Sequence, residues 1–290
     1  IRIREMRPLA IISNGQNYYI AEDGRPCQSP EGSYMITNEH TQRVLQLISN
    51  YSIYALEDEL RNGYITLKGG FRVGLAGQTV LEAGKVKTLK HINSFNFRIS
   101  REIKGVANRI MPFIIEKGKI MHTLIISSPG MGKTTLLRDI ARLLSDGFRS
   151  FKGVKVSIVD ERSEIAGCYK GIPQNDIGQQ TDVLDACPKA EGIMLLIRSM
   201  SPNVIVTDEI GRREDMVAIE EALNGGVKII TSAHGSNLDD VLGHPVLEQV
   251  IEKRLFDRLL ILGNSMGIGT LEKVYDGKEL KEMLDSPIKL

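Results

Sequence analysis

Short apolar runs alternate with helical patterns along the second half of the chain. The runs are rich in Val, Ile and Leu and lie at His122–Ser127, Val154–Val159, Val204–Thr207, Val227–Thr231 and Leu259–Leu262. Helical patterns, such as Glu214–Leu223, separate several of them. Strands that are apolar on both faces and alternate with helices indicate a parallel sheet covered on both sides. This half is therefore predicted to be an α/β domain with a mostly parallel sheet.

The first half has a different pattern. Thr41–Leu60 carries apolar residues at the spacing of an amphipathic helix or helix pair. Two alternating runs joined by Gly69 and Gly70 predict a β-hairpin, and Phe95–Ile99 predicts a further strand. A smaller α+β domain is expected here.

The boundary between the two domains is expected near Lys104. A chain of 290 residues is long enough for two domains at about 150 residues each. Val106–Lys117 has the pattern of a helix that leads into the first core strand. The predicted domains are residues 1–104 and 105–290.

The composition is that of an average globular protein, with 42% hydrophobic and 25% charged residues. Neither a signal peptide nor an apolar run of the roughly 18 residues that span a bilayer is present, so a cytoplasmic protein is expected. Cys27, Cys168 and Cys187 are widely spaced, which favours reduced thiols over a disulfide scaffold or a zinc site.

The formal net charge of +1 disfavours a bulk binder of nucleic acid or anionic membrane. One basic segment, Lys68–Lys104, has eight Lys or Arg residues against two acidic ones. Its interleaved Phe71, Phe95 and Phe97 give it the composition of a groove that stacks single-stranded bases. A local patch for nucleic acid is therefore disfavoured but remains open.

A glycine-rich loop between a strand and a helix is the strongest motif. Its candidate nucleotide-binding residues are Ser128, Pro129, Gly130, Met131, Gly132, Lys133, Thr134 and Thr135. Glycines let successive backbone N–H groups face a phosphate, and the helix N-terminus adds a favourable dipole. Lys133 is expected to contact the phosphates of ATP and Thr134 to ligate Mg²⁺. Ser127 stands where the pattern GxxxxGK[ST] has its first glycine.

Two further apolar strands end in acidic pairs. Asp208 and Glu209 follow one strand, where Asp208 is expected to hold Mg²⁺ and Glu209 to polarise the attacking water. Asp160 and Glu161 end another strand, and Glu161 is a second candidate catalytic residue. Solvated acids at a strand end, or a cap on the Ser163 turn, are the alternatives.

His234 ends a fourth strand and is a candidate γ-phosphate sensor, although a histidine in a turn is often only structural. Arg198 is a candidate that could complement phosphate charge, within one subunit or across an interface. Surface ion pairs are the alternative for it and for the similar candidates Arg98, Arg101, Arg212 and Arg213.

Together these blocks resemble the secretion-type ATPases of type II and type IV secretion systems. The Walker A loop, Asp box, Walker B strand and His box of that family are similar to Ser127–Thr135, Ile158–Arg162, Val204–Gly211 and Thr231–Gly235. The branch found in endospore-forming bacteria is more similar still. It is matched by Gly74-Leu-Ala-Gly, Ser94-Phe-Asn-Phe-Arg-Ile, Asp160-Glu-Arg-Ser-Glu-Ile-Ala, Pro173-Gln-Asn-Asp-Ile-Gly, Thr181-Asp-Val-Leu-Asp and Arg198-Ser-Met-Ser-Pro.

The resemblance implies a RecA-like P-loop ATPase domain that binds ATP and Mg²⁺ and assembles as a homo-hexameric ring. It also implies a place on the mother-cell side of a channel to the forespore, peripherally associated with the membrane proteins of that channel complex. The leading hypothesis is an ATPase motor. An ATPase that binds or remodels single-stranded nucleic acid is the alternative.

Overall fold

The computed structural model describes residues 1–13, 15–50, 56–99 and 102–290. The chain divides into two compact units, Ile1–Arg101 and Glu102–Leu290. The boundary predicted from the sequence, after residue 104, lies within a few residues of this division. Among the described residues, none of the helices is long and apolar enough to cross a membrane.

A seven-stranded antiparallel sheet is the centre of the first unit, with strand order β4-β3-β2-β1-β7-β6-β5. Its strands are β1 Arg2–Arg4, β2 Ala10–Ser13, β3 Gln16–Ile20, β4 Pro26–Cys27, β5 Tyr64–Leu67, β6 Phe71–Glu82 and β7 Lys85–Arg98. Its helices are α1 Asn38–Ile48 and α2 Glu57–Asn62, both packed against β7. The helix-pair alternative for Thr41–Leu60 and the hairpin at Gly69-Gly70 therefore agree with the structure, although residues 51–55 lie outside the described part.

Alternation along β6 and β7 decides which side chains reach solvent. Val73 and Phe95 are almost completely buried, in a core that also contains Leu45 and Leu60. Phe97 packs against the same core, whereas Phe71 is 37% exposed. Two of the three phenylalanines that suggested the alternative of a base-stacking groove therefore pack into the core, because the period of a strand turns Phe95 and Phe97 inward.

The second unit is built around an eight-stranded sheet. Its helices are α3 Met111–Ile114, α4 Lys133–Asp146, α5 Lys189–Ser199, α6 Arg213–Asn224, α7 Leu238–Leu242 and α8 Pro245–Glu252. The strands of this unit are β8 Ile115–Glu116, β9 Lys119–Ile120, β10 Thr123–Ser127, β11 Gly147–Phe148, β12 Phe151–Lys152, β13 Val156–Asp160, β14 Thr181–Asp185, β15 Val204–Glu209, β16 Lys228–His234, β17 Arg258–Gly263, β18 Thr270–Asp276 and β19 Ile288–Lys289.

The order of strands in this sheet is β14-β13-β15-β16-β10-β17-β18-β19. The run from β14 to β17 is parallel, and β18 and β19 add to it in antiparallel fashion. The sheet is thus mixed, with a parallel central part. The four strands that carry the sequence motifs, β13, β15, β16 and β10, are consecutive neighbours in this part.

Two apolar layers cover the two faces of the sheet. Along β10, Ile125 faces the layer that contains Ile140 of α4, whereas Leu124 and Ile126 face the layer that contains Ile193 of α5. Helices α6 and α8 contribute to this second layer. Burial on both faces explains why the strands of this half are continuous apolar runs.

The prediction of a helix over Val106–Lys117 is wrong. Residues 106–110 form turns, α3 has a single turn, and β8 and β9 form a small hairpin. Ala107, Ile110, Met111 and Ile114 supply the apolar spacing, since all of them are buried. The N–H of Ala107 donates to the Oδ2 atom of Asp139 instead of entering a helical ladder (2.9 Å).

Candidate active site

The carboxyl ends of β13, β15, β16 and β10 lie at one edge of the parallel sheet, which is where α/β folds bind ligands. A cleft of about 300 Å³ opens along this edge. It is lined by Lys133, Thr134, Glu161, Arg162, Glu164, Lys189, Asp208, Glu209, Ile210, Gly211, Arg212, Asp215 and Ser232. The structure therefore brings the phosphate-loop lysine and threonine together with both of the predicted acidic strand ends.

The backbone of the phosphate loop requires two of its glycines. Gly130 (φ +79°) and Gly132 (φ +88°) are in the left-handed region, which side-chain-bearing residues rarely adopt. Gly132 is also the N-cap of α4, so the unpaired N–H groups of that helix start at the loop. Ser127 stays in strand geometry as the last residue of β10, paired with His234 and Leu262, so its position needs no glycine.

Lys133 lies folded against its own loop. Its Nζ atom donates to the carbonyl oxygens of Ser127 (2.7 Å) and Ser128 (3.3 Å) and lies 3.1 Å from Nδ1 of His234. Burial lowers the pKa of Lys133, and the negative charge of Glu209 partly opposes that effect. The loop carbonyls thus satisfy an ammonium group whose position suits it to bind phosphate.

His234 connects Lys133 to Glu209. An ammonium group has no lone pair, so Nδ1 of His234 must accept from Lys133. The ring proton is then on Nε2, which lies 2.6 Å from the Oε2 atom of Glu209 and donates to it. This fixed tautomer makes a continuous chain from the phosphate loop to the acidic end of β15.

Lys189, which the sequence analysis did not identify, lies between the acidic strand ends. Its Nζ atom is 3.0 Å from Oδ1 of Asp208, an ion pair, and 3.3 Å from Oε2 of Glu161. It also donates to the backbone carbonyl of Glu209 (2.5 Å). Burial raises the pKa of Asp208, and the charge of Lys189 counters that effect. A lysine placed just after Pro188 at a helix start was the available signal.

Asp160 has a structural role in the turn that follows β13. Its two carboxylate oxygens accept the N–H groups of Glu164 and Ala166, both at 2.8 Å. Burial raises its pKa to about 6. Arg138 of α4 holds the same loop by donating to the carbonyls of Glu164 (2.7 Å) and Ile165 (2.5 Å). Asp160 thus anchors the turn that directs Glu161 into the cleft.

The arginine candidates separate into different places. Arg212 lines the cleft, with Nη1 at 3.9 Å from Oε1 of Glu161. Arg198, on the last turn of α5, lines a separate groove between α5 and α6 and is not brought to the cleft. Arg98 belongs to β7 of the first unit, and Arg101 lies outside the described residues. Lys189 and Arg212 are the cations that the Glu161 carboxylate meets.

The cleft has the donor set of a magnesium site. The hydroxyl of Thr134 and the carboxylates of Asp208 and Glu209 belong to residues that line one space. Hard oxygen ligands of this kind suit Mg²⁺, which is usually held by one or two protein groups plus phosphate oxygens. The residues present therefore fit the metal that the motif implies.

The fold, with a phosphate loop and two acidic boxes at the ends of its parallel strands, is similar to those of two solved structures, a pilus retraction motor and an ATPase. The chain superposes on the pilus retraction motor PilT, crystallised with bound ADP, with a TM-score of 0.60 and 16% identity. That match covers 94% of this chain and 74% of the other. The ATPase DotB of Legionella pneumophila gives a TM-score of 0.58 at 18% identity, covering 90% of this chain and 71% of that one.

The sequence comparison is more specific than the fold. The family described as "Sporulation stage III, protein AA" matches residues 1–281. The stage III sporulation protein AA of Bacillus subtilis (strain 168) is 50% identical over 276 residues, which are 95% of this chain and 86% of that protein. This chain belongs to the sporulation stage III protein AA family.

Proposed function

We propose that the chain is a Mg²⁺-dependent ATP hydrolase that works as a motor of the secretion-ATPase type. The observation that carries this proposal is the convergence of Lys133, Thr134, Asp208 and Glu209 on one cleft. An ordinary βα turn would need neither the lysine nor the acids. Structural similarity to secretion ATPases supports the same activity.

The residues of the sequence motifs have defined tasks in this proposal. Lys133 leaves the loop carbonyls and binds the β- and γ-phosphates, and the N–H groups at the start of α4 contact the phosphate oxygens. Thr134 and Asp208 would hold Mg²⁺, which would supply positive charge beside the phosphates. Glu209 orients the attacking water and accepts its proton, and His234 senses the γ-phosphate through its contacts with Lys133 and Glu209.

The cellular role is proposed from the family. The chain would form a homo-hexameric ring that ATP promotes, on the mother-cell side of a channel to the forespore. There it would associate peripherally with the membrane proteins of the channel complex and pass the motion of each hydrolysis cycle to them. The identity to the Bacillus subtilis sporulation protein supports this setting.

Replacement of Lys133 by Ala tests the phosphate loop. Lys133 Nζ contacts loop carbonyls and a half-exposed histidine, not the apolar layers, so Lys133→Ala should fold normally. We expect ATP affinity to fall by at least about tenfold, because a charge-assisted contact is lost. Isothermal titration calorimetry measures it, with Lys253→Ala, which alters a surface lysine paired with Glu220, as the control. Equal ATP affinity in the Lys133 variant and the parent would refute the proposal.

A further inference from the structure

Lys189 occupies a position that is unfavourable for a lysine. It is the first residue of α5, where the positive end of the helix dipole repels a cation. Its side chain is only 6% exposed, although lysine is almost never fully buried unless it is paired. Both the helix dipole and the burial of the charge disfavour a lysine here, which indicates that its contacts have a role in the site.

The contacts join two strands of the sheet. Glu161 follows β13 and Asp208 belongs to β15, and the Nζ atom of Lys189 lies within 3.3 Å of a carboxylate oxygen of each. Both carboxylates are mostly buried, with 29% and 18% of their side chains exposed. Like charges in such an environment repel strongly unless a cation lies between them. Lys189 supplies that cation.

The third contact reaches the neighbouring candidate base. Lys189 Nζ donates to the backbone carbonyl of Glu209, the residue whose side chain bonds to His234. This bond fixes the peptide group from which the Glu209 carboxylate projects. Glu161, in contrast, is held by Lys189 through its own carboxylate. Lys189 thus binds the side chain of Glu161 but only the backbone of Glu209.

We propose that Lys189 is a positioning residue that holds the Glu161 carboxylate beside Asp208 and leaves Glu209 as the side chain that orients water. This inference rests on the proposed ATPase function and assigns the division of labour within its site. Lys189 keeps Asp208 in place for Mg²⁺ by balancing the charge of Glu161. It acts through these neighbours and contacts no reacting atom itself.

The test uses four variants of the full chain. Lys189→Met removes the charge at similar length, and Lys189→Arg keeps the charge. Glu161→Gln removes the acid that Lys189 balances, and the fourth variant combines Lys189→Met with Glu161→Gln. Lys253→Met, at a surface lysine paired with Glu220, is the matched control. ADP affinity is measured with Mg²⁺ and with EDTA, and ATP hydrolysis is measured in single turnover.

Lys189→Met should leave ADP affinity in EDTA within about twofold of the parent, because the phosphate loop is untouched. It should lose most of the affinity that Mg²⁺ adds and slow hydrolysis by about 10²-fold. Lys189→Arg should restore part of both, and Glu161→Gln in the Lys189→Met background should recover at least about tenfold of the rate, because the repulsion is removed.

Three results would overturn the inference: a Lys189→Met enzyme with normal Mg²⁺ dependence, no recovery in the double variant, or equal loss of ADP affinity with and without Mg²⁺. If Lys189→Met does not fold, the charge-balanced double variant and Lys189→Arg still test the inference. Both should fold, and in both Mg²⁺ should still increase the affinity for ADP. A parent chain that binds Mg-ADP but hydrolyses no ATP would refute the proposed function, whereas the Mg²⁺ dependence of binding would still test Lys189.

Discussion

Glu161 and Glu209 are the same residue type at neighbouring strand ends, and their partners distinguish them. Glu209 accepts from His234, whereas Glu161 faces Lys189 and Arg212. Both carboxylate oxygens of Glu161 face a cation, whereas Glu209 is held through its Oε2 atom. Within the proposed ATPase, these contacts favour Glu209 as the residue that positions water.

Isosteric substitution separates the two glutamates. We expect Glu209→Gln to keep ATP binding and to lower single-turnover hydrolysis by about 10²-fold or more, as the loss of a positioned base does. Glu161→Gln should cost less. The comparison is made at saturating Mg-ATP, with equal nucleotide affinity as the control. A slower Glu161→Gln enzyme would mean that the base is misassigned.

Asp160 gives the fold a pH dependence. Its pKa of about 6 in the folded chain exceeds the ordinary 3.8, so between these values the folded state binds more protons than the unfolded state. The contribution of this group to stability is therefore full below about pH 4 and falls as the pH rises through about 6. The difference between the two pKa values corresponds to about 3 kcal/mol in the free energy of unfolding.

Asp160→Asn removes this titration but keeps one acceptor oxygen for the turn. The variant should lose more stability at about pH 4 than at about pH 7, and the difference between the two losses should approach 3 kcal/mol, as about 1.4 kcal/mol per pKa unit requires. Urea unfolding of both proteins at the two pH values measures it. A loss of stability that does not change with pH would contradict the raised pKa.

At the scale of elements, the position of α5 depends on a glycine. A Cβ atom on Gly192 would lie 2.6 Å from Cγ1 of Val159 and 3.2 Å from Sγ of Cys187. Val159 belongs to β13 and is completely buried, so it has no space into which to move. The helix that begins with Lys189 can therefore lie this close to the sheet only without a side chain at position 192.

Gly192→Ala should destabilise the chain although alanine favours helix. Overpacking costs about 1–3 kcal/mol, whereas the gain in helix propensity is about 1 kcal/mol. The control is Gly225→Ala at the end of α6, where φ is −75° and the nearest atom would be 3.4 Å away. Thermal unfolding compares the two, and an unchanged or raised melting temperature for Gly192→Ala would contradict the close packing.

The sequence predicted best the elements that are buried on both faces. β10, β13, β15, β16 and β17 are continuous apolar runs, because each lies between two apolar layers. The edge strand β14 was not predicted, because Asp182 and its neighbours are at least partly exposed and do not form a continuous apolar run. The turns at 106–110 were mistaken for a helix, because burial alone can imitate a helical period.

The site residues that belong to contiguous sequence motifs could be predicted from the sequence. Lys133 begins the helix after β10, and Asp208 and Glu209 end β15, so their common edge could be inferred from the parallel sheet. Lys189 could not, since its role depends on where α5 begins relative to two strands that are distant in sequence. The distinction between Asp160 and Glu161 also depended on which carboxylate turns toward backbone N–H groups, a choice that spacing does not encode.

At the scale of the whole molecule, the proposed ring is testable. Of the arginine candidates, Arg212 meets Glu161 in the cleft, and Arg198 lines a separate groove. We expect ATP to promote assembly, because an arginine of a neighbouring subunit can then complement the phosphate charge. Light scattering at micromolar concentration with a non-hydrolysable ATP analogue measures it. The Lys133→Ala variant should stay unassembled, and a monomeric parent under these conditions would refute the ring.

The contacts from Lys133 through His234 to Glu209 join the start of α4 to the end of β15. Because the imidazole accepts from the lysine and donates to the glutamate, movement of either side chain changes the hydrogen bonding of the ring. Under the proposed function, a phosphate that binds Lys133 would free Nδ1 of His234 and weaken the contact between the ring and Glu209. Nucleotide binding would then be coupled directly to the release of the side chain proposed to orient water.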